Sequence, residues 1–152
     1  MKRAVKVMIA VVVLAALWLM AAGVSGRLGV VSADHAKFVY SINAERFEAI
    51  ASKMLEQGNA DGLTIPNGVR DVTIYETNSG CVDFWMGGAG LIPSSSYWGV
   101  IYSVEDEPVG FQGVKPEFTW DGEGWYWQEK NGDNRSYVNK LSDRWYLYQM
   151  WF

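Results

Sequence analysis

Residues 71–86, DVTIYETNSGCVDFWM, contain two short runs in which apolar side chains recur at every second position. The apolar residues that alternate in this way are Val72, Ile74, Val82, Phe84 and Met86. A period of two is typical of β-strands, because successive side chains of a strand point to opposite faces of the sheet. The polar residues 76–80 between the runs include Asn78, Ser79 and Gly80, which favour a tight loop. The stretch therefore predicts an antiparallel hairpin.

Upstream of this hairpin the apolar period is that of a helix. The positions i, i+3, i+7 and i+8 of one helical stripe are occupied by Phe47, Ile50, Met54 and Leu55. Asn43 is a favourable N-cap and Gly58 a favourable C′ residue, so the pattern predicts a helix over 44–57 that covers the sheet. Residues 34–42 fit either a helix or an extended segment.

Downstream, turn residues recur every 8 to 12 positions, which is the spacing of an antiparallel meander. The stretch 87–96, rich in Gly and Ser, is expected to be a flexible connection. The further predicted strands are residues 97–102, 109–112, 117–120, 125–129, 135–140 and 144–151. The predicted fold class is therefore α+β, with one helix packed on an antiparallel β-meander of about seven or eight strands.

The last predicted strand, residues 144–151, lies in the stretch WYLYQMWF (145–152), which is apolar on both faces. Strands that are buried from both sides lose the alternation of polar and apolar residues. We therefore expect this strand in the middle of the sheet, with Trp145 in the structural core.

The N-terminal part of the chain has the pattern of a membrane anchor. An uninterrupted apolar run of 18 residues extends from Val7 to Val24, and Lys2, Arg3 and Lys6 precede it. As a helix this run would span about 27 Å, close to the roughly 30 Å hydrocarbon core of a bilayer. The positive charges before the run place the N-terminus in the cytoplasm and the remainder of the chain outside.

These signals divide the chain into four predicted parts. They are a cytoplasmic N-terminus (1–6), a transmembrane anchor (7–24), a connector (25–33) and an extracytoplasmic α+β domain (34–152). The alternative is a cleaved signal peptide, because Val31-Ser32-Ala33 resembles the small-residue motif that signal peptidases cleave. The expected location is the cell membrane, with a single pass and a signal-anchor, or the secreted fraction if cleavage follows Ala33. The membrane is thus the first predicted partner, through the N-terminal helix.

The net charge of the exported part limits the kinds of partner, besides the membrane, that we expect for it. All 17 Asp and Glu lie after residue 27, whereas four of the 13 Lys and Arg lie at or before it. The exported part therefore carries nine cationic side chains against 17 anionic ones, a net charge of −8. A domain this acidic lacks the basic surface that nucleic acids and anionic lipids require, so we expect no nucleic-acid partner.

Residue types that carry catalysis are sparse. The only histidine, His35, follows the connector, and the only cysteine, Cys81, lies in an apolar strand where a buried, inert thiol is expected. Zinc binding and Ser–His or Cys–His chemistry are therefore not expected, and no cofactor is implied. The acidic turns at 105–107, 121–123 and 131–133 are oxygen-rich but lack the spacing of a calcium loop. We predict no catalytic residue and no metal site.

Aromatic residues make up 17 of the 69 residues from Phe84 to Phe152. They could fill the core, or they could form a surface that stacks on a ligand. Trp125 and Trp127 lie on one face of their predicted strand and Tyr126 on the other, next to a Gly-rich turn. These three are the predicted ligand-binding residues, and core packing is the alternative for the same side chains.

The aromatic stretches 125–127 (WYW) and 145–148 (WYLY) begin 20 residues apart, each after a turn that contains Gly or Asp. In this respect residues 121–152 resemble the aromatic cell-wall-binding repeats of Gram-positive surface proteins, which bind choline or glucan between hairpins. The resemblance covers two units and implies a ligand in the cell wall.

A broader resemblance extends over most of residues 44–152. Its motifs are residues 97–103 (YWGVIYS) before Asp106 and Pro108, then 124–127 (GWYW), 132–134 (GDN) and the closing 145–152 (WYLYQMWF). They look like a group of uncharacterised short membrane-anchored proteins of Gram-positive bacteria. This resemblance implies an anchor followed by a helix and a sheet, and it implies no activity.

Together these observations predict a non-enzymatic, membrane-anchored extracytoplasmic binding or interaction module of unknown ligand, accessory to an envelope complex. Its partner would be an unknown protein or a cell-wall component. The alternative is an enzyme that acts on cell-wall glycan through carboxylates alone. A carboxylate pair in a concave pocket would favour the enzyme, whereas a flat aromatic patch or an exposed strand edge would favour the binding module.

Overall fold

The computed structural model describes residues 33–76, 80–91 and 94–152. In this part of the chain one helix, α1 (Ala33–Gln57), precedes seven strands. The strands are β1 (Asp71–Tyr75), β2 (Cys81–Leu91), β3 (Ser94–Ser103), β4 (Thr119–Trp120), β5 (Trp125–Gln128), β6 (Arg135–Ser142) and β7 (Trp145–Trp151). All seven strands form one antiparallel sheet on which α1 packs, which confirms the predicted α+β class.

The order of the strands in the sheet is β1-β2-β3-β7-β6-β5-β4, so the prediction of one continuous meander is wrong. Two meanders, β1–β3 and β4–β7, are joined by the pairing of β3 with β7. The last strand therefore lies fourth among the seven, in the middle of the sheet, as its two apolar faces predict. Its residues Trp145, Tyr146, Leu147 and Tyr148 are all buried.

Helix α1 begins earlier than the predicted bounds of 44–57 and is kinked at Asn43, whose φ and ψ are −130° and 17°. The Asn43 side chain donates a hydrogen bond to the Val39 carbonyl oxygen (2.9 Å), so it serves the end of the first helical segment and not the start of the second. The helix ends as predicted before Gly58, whose φ is +71°. The Gly58 N–H donates to the Met54 carbonyl oxygen at 2.8 Å.

The predicted apolar stripe of α1 is confirmed except at one position. Phe47, Ile50 and Met54 are buried, whereas Leu55 is 38% exposed. Ala51 is buried in its place. At about 100° per residue, position i+8 is rotated roughly 80° from Phe47 and position i+4 only about 40°, so Leu55 lies at the margin of the stripe.

The first hairpin is confirmed, because β1 pairs with β2 from Asp71 opposite Trp85 to Tyr75 opposite Cys81. The predicted connection at 87–96 is wrong, since β2 continues to Leu91 and β3 begins at Ser94. Glycine has a packing role in this extension. An added Cβ at Gly88 would lie 2.6 Å from the Ser96 carbonyl oxygen, so the two strands approach too closely there for a side chain.

The predicted strand at 109–112 is also wrong. Phe111–Gly113 form a 3-10 turn in which Gln112 and Gly113 have φ values of 56° and 74°. Positive φ values of this size do not occur in strands. Residues 104–118, which connect β3 to β4, instead cross the sheet on the side opposite α1, and we call them the covering segment.

The sheet therefore has two covered faces. The first face packs on α1, and its buried side chains include Val82, Phe84, Val100, Tyr102, Trp145 and Leu147. The second face carries Cys81, Ile101, Val138, Tyr146 and Tyr148, which contact Val109, Phe111 and Phe118 of the covering segment. The predicted burial of the single thiol, Cys81, is confirmed.

The predicted cytoplasmic N-terminus (1–6), the transmembrane anchor (7–24) and almost all of the connector (25–33) lie outside the described residues. Within 33–76, 80–91 and 94–152, no helix combines the length and the apolar character that crossing a membrane requires. The anchor and its alternative, cleavage after Ala33, stay predictions from the sequence.

Candidate functional site

The covering segment is seated on the second face by close contacts. The ring of Phe111 stacks on that of Tyr97, with centroids 4.9 Å apart and an interplanar angle of 18°. Gly113 lies so near β1 that an added Cβ would be 2.8 Å from the Cβ of Tyr75, and its φ of +74° also favours glycine. The 3-10 turn is thereby fixed above β1, β2 and β3.

Beside this turn lies a pocket of about 230 Å³, which we call the Asp83 pocket. Its walls are Asp71, Thr73 and Tyr75 of β1, Asp83 and Trp85 of β2, Tyr97 of β3, and Phe111 and Gln112 of the turn. Four aromatic side chains and two carboxyl groups thus line one small volume. Three strands of one sheet position most of these groups, so the pocket is built on rigid elements.

Asp83 is the buried polar group of this pocket, and it is only 3% exposed. Its Oδ2 atom accepts a hydrogen bond from the Tyr148 hydroxyl at 3.5 Å, which is long for such a bond. Its Oδ1 atom is buried and has no hydrogen-bond partner among the described residues. A buried acceptor without a partner costs about 1–3 kcal/mol, so Asp83 weakens the fold at the position it occupies.

Tyr148 reaches Asp83 because the residue between them is glycine. Gly99 of β3 is paired with Tyr148 of β7, and Trp85 of β2 is paired with Gly99 on the other side. An added Cβ at Gly99 would lie 2.5 Å from the Tyr148 Oη atom and 2.6 Å from the Phe84 carbonyl oxygen. The Tyr148 ring therefore lies over β3, in the space that a side chain at Gly99 would fill.

Burial raises the pKa of the Asp83 carboxyl to about 7, and the nearby charge of Asp71 also raises it. The hydrogen bond from the Tyr148 hydroxyl opposes this rise in pKa, as does the nearby Gln112 backbone N–H, which forms no hydrogen bond to Oδ1. Burial raises the pKa of the Tyr148 hydroxyl well above its usual 10 and that of the Cys81 thiol to about 12. Tyr148 and Cys81 therefore stay protonated at neutral pH, whereas Asp83 changes charge there.

Gln112 lies between the Asp83 pocket and a second one. Its φ of 56° is unusual for a residue with a Cβ, and strained backbone of this kind concentrates at functional sites. Gln112 and Phe111 also line a pocket of about 220 Å³. The other residues around that second pocket are mainly apolar and are Gly110, Val114, Pro116, Trp127, Ser136, Met150 and Phe152.

The three predicted ligand-binding residues do not form one site. Trp127 lines the second pocket. Trp125 packs between Trp120 and Tyr146, with ring centroids 4.7 Å and 5.8 Å away, so it belongs to the packing of the second face. Tyr126 lies on the opposite face of β5 because side chains alternate along a strand.

A larger concavity of about 700 Å³ is an open groove between α1 and the turn before β7. Several of its polar groups bond to one another. The Trp145 indole N–H donates to the Glu48 carboxylate at 2.9 Å, and the hydroxyls of Tyr40 and Ser142 are 2.6 Å apart. An open groove in which several polar groups are already paired is a weaker candidate for ligand recognition than the Asp83 pocket.

The carboxylates of the acidic turn at 105–107 form ion pairs with lysines of the same chain. Lys115 pairs with Glu105 at 3.2 Å and with Glu107 at 3.0 Å, and Lys140 pairs with Asp106 at 2.6 Å. In the part of the chain that the structure describes, no three His, Cys, Asp or Glu side chains are grouped so that they could hold a metal ion.

The sequence prediction does not include the Asp83 pocket, although one signal for it is present. Asp83 alternates with Cys81 and Trp85 on one face of β2, and a carboxyl between two such residues indicates burial. Phe111 and Gln112 have no comparable signal, because only the path of the covering segment brings them to β2.

Comparison with known proteins finds no match to this chain among family models, curated proteins or solved structures. The function is therefore inferred from the geometry of the site, and the two resemblances to Gram-positive proteins stay predictions.

Proposed function

We propose that this protein is a non-enzymatic, membrane-anchored extracytoplasmic binding module that receives a small ligand in the Asp83 pocket. The observation that carries the proposal concerns Asp83, a residue that lines the pocket: its Oδ1 atom is buried and has no hydrogen-bond partner among the described residues. A ligand that donates a hydrogen bond to this atom removes the free-energy cost of leaving it unpaired. Ligand binding thus explains a carboxyl group at a position where an apolar side chain would stabilise the fold.

The pocket suits recognition because strand pairing and side-chain hydrogen bonds hold its walls in place. Thr73 of β1 and Asp83 of β2 are directly paired across the first hairpin. The indole N–H of Trp85 donates to the Gly87 carbonyl oxygen at 3.1 Å, which orients the ring. Side chains that are held before binding lose little conformational entropy when a ligand arrives.

The proposed location rests on the sequence. The apolar run at 7–24 and the positive charges before it are expected to anchor the chain with residues 34–152 outside the membrane. The net charge of −8 after residue 27 disfavours nucleic acids and anionic lipids as partners. We therefore propose an envelope protein or a cell-wall component as the source of the ligand.

An enzyme that uses carboxylates is the second candidate, because Asp71 and Asp83 line the same pocket. A carboxyl with a pKa of about 7 could act as a general acid. Glycoside hydrolases, however, place their two carboxyl groups on either side of a sugar that fits between them. At about 230 Å³ the pocket is smaller than the roughly 300–1,000 Å³ of most ligand sites, which favours binding of a small group over hydrolysis of a polymer.

A variant that fills the pocket tests this proposal. Thr73→Phe adds a ring to the pocket from the edge strand β1, and Thr119→Phe adds the same ring to the other edge strand, β4, as a matched control. The full chain in detergent micelles is screened by ligand-observed NMR against small amines, acids, alcohols and sugars. We expect at least one class of compound to bind the wild type and Thr119→Phe but not Thr73→Phe.

The proposal fails if no compound binds in a way that depends on Thr73→Phe. Release of reducing sugar from cell-wall glycan by the wild type, with loss of that activity in Asp83→Asn, would establish the enzyme in its place.

A further inference from the structure

We infer that the group bound in the Asp83 pocket is a primary ammonium carried on a short apolar arm. This inference rests on the proposed function and adds the chemical class of the ligand. Three properties of the pocket point to the same chemistry: a buried oxygen atom with no partner among the described residues, two carboxyl groups that form no ion pair with those residues, and aromatic walls.

The unpaired oxygen selects a hydrogen-bond donor. The Tyr148 hydroxyl already donates to Oδ2 of Asp83, and no described residue donates to Oδ1. A primary ammonium has three N–H donors, so one can reach Oδ1 while the others reach neighbouring acceptors. A quaternary ammonium has no N–H donor and an anion offers only further acceptors, so both would leave Oδ1 unpaired.

The charge of the pocket selects a cation. The lysines that form ion pairs in the described residues, Lys115 and Lys140, pair with carboxylates other than Asp83. Asp71 adds a second carboxyl to the same wall. An ammonium group supplies the opposite charge that these two carboxyl groups lack, and a hydrogen bond to a charged group is stronger than one between neutral groups.

The aromatic walls accept both parts of such a ligand. Ring faces attract cations that lie within about 6 Å of the ring centroid, and they also bury methylene groups. The guanidinium carbon of Arg70 lies 5.9 Å from the centroid of the Trp85 ring, so this ring already accommodates a cation. The volume of about 230 Å³ limits the apolar arm to a short one.

A primary ammonium on a short arm occurs in free alkylamines, in lysine-like side chains of peptides and in the ethanolamine headgroup of lipids. The pocket recognises the chemistry that the three have in common. The experiment therefore includes one probe from each source.

The titration of Asp83 makes the expected affinity depend on pH. Among the described residues, the other ionisable groups around this carboxyl lie on β1, β2, β3, β7 and the covering segment, and Arg70 lies against the Trp85 ring. The groups on those elements are Asp71, Tyr75, Cys81, Tyr97, Tyr148 and Lys115. An alkylamine stays protonated up to about pH 10, so ionisation of Asp83 should increase its affinity about tenfold between about pH 6 and pH 8. A neutral ligand that accepts a hydrogen bond from protonated Asp83 would show the opposite trend.

The test is a titration of the nitrogen-15-labelled full chain in detergent micelles with n-butylammonium, n-butanol and tetramethylammonium, followed at the indole resonance of Trp85. At about pH 8 we expect n-butylammonium to bind at least tenfold more tightly than the other two probes. Asp83→Asn should lose this preference, whereas the matched variant Asp71→Asn, at the exposed carboxyl, should weaken it only a few-fold. N-acetyl-lysine amide and vesicles with ethanolamine headgroups then identify a peptide or a lipid source, and a response to neither assigns the pocket to free amines.

Equal binding of n-butanol, or a preference for the ammonium that persists in Asp83→Asn, overturns the ligand class and leaves the binding function in place. Equal binding of tetramethylammonium overturns the requirement for an N–H donor. Binding of every probe that is unaffected by Thr73→Phe overturns the proposed function itself. If Asp83→Asn does not fold, the wild type decides the matter, because an affinity that stays constant or falls between about pH 6 and pH 8 contradicts the inference.

Discussion

The first face of the sheet is covered by a regular helix and the second by the irregular covering segment. On the first face the ring of Trp145 is surrounded by those of Tyr40, Phe47, Phe84 and Tyr102, with centroid distances between 5.1 and 5.8 Å. On the second face the cover leaves two pockets and a buried carboxyl oxygen that has no hydrogen-bond partner among the described residues.

The reason for this difference lies in the backbone of the two covers. A helix pairs its own N–H and C=O groups, so the side that it buries can be entirely apolar. The covering segment has to pair its groups individually, as in the hydrogen bond from the Gly110 N–H to the Val114 carbonyl oxygen at 2.9 Å. An irregular cover of this kind brings polar groups to the sheet and leaves gaps between side chains. Stability is therefore expected mainly from the first face and ligand chemistry from the second.

The largest expected effect is that of Trp145→Ala on the first face. Trp145 is 3% exposed, so its truncation should lower the free energy of unfolding by about 3–5 kcal/mol. Trp127→Ala, at a half-buried tryptophan of the second face, should cost less than about 2 kcal/mol. Urea melts of the full chain followed by circular dichroism compare the two variants. Equal losses would show that the second face is packed as tightly as the first.

Ile50→Ala examines the docking of α1 on the first face. Ile50 is 1% exposed, and removing its buried methylene and methyl groups should cost about 2–5 kcal/mol. Leu55→Ala is the matched control on the same helix, and it should cost less than about 1 kcal/mol because this side chain lies partly in solvent. A loss below about 0.5 kcal/mol for Ile50→Ala would mean that α1 is not the main cover of the first face.

Unlike Trp145→Ala and Ile50→Ala, Asp83→Asn should raise the free energy of unfolding, because it removes a carboxyl whose pKa is raised from 3.8 to about 7 by burial. The native state then holds more protons than the unfolded state between these two pH values, so wild-type stability falls as the pH rises through that range. Relative to the wild type, Asp83→Asn should gain up to about 4 kcal/mol between about pH 4 and pH 8. Urea melts at both pH values measure this gain, and a constant difference between variant and wild type would show that Asp83 is not buried as described.

The smallest of these effects is expected for Gly99→Ala, which disturbs the approach of Tyr148 to Asp83. The added Cβ would lie 2.6 Å from the Phe84 carbonyl oxygen, and such overpacking typically costs about 1–3 kcal/mol. Gly110→Ala is the control on the same face, because its Cβ would lie 3.3 Å from its nearest neighbour. This substitution should cost less than about 1 kcal/mol. Thermal unfolding ranks the two variants, and a neutral Gly99→Ala would contradict the position of the Tyr148 ring over β3.

The features that the sequence predicts correctly are those that a local period determines. Helix α1 over 44–57 and the hairpin of β1 and β2 follow from periods of 3.6 and two. The central place of β7 follows from residues 145–148, which are apolar on both faces, because only a strand with a neighbour on each side and a cover on each face buries all of them. Leu55 shows the limit of this approach, since a position at the margin of the stripe is buried only if the partner surface extends that far.

The candidate site depends on contacts that no local period determines. Trp127 is placed in a pocket and Trp125 in the packing, although both lie on one face of one short strand. Some of their neighbours are distant in sequence, such as Phe111 near Trp127 and Tyr146 near Trp125. The same holds for Asp83, whose burial depends on Gln112 and Tyr148.

By itself the sequence determined the α+β class, the apolar stripe of α1, most of the strands and the central place of β7, because each of these depends on the alternation of side chains along a short segment. Only the tertiary structure decided that β7 pairs with β3, that residues 104–118 cross the second face, and that Asp83 is enclosed there. Pairing between distant strands and the path of an irregular segment are set by how whole faces fit together, and the pocket is the space which that fit leaves unfilled.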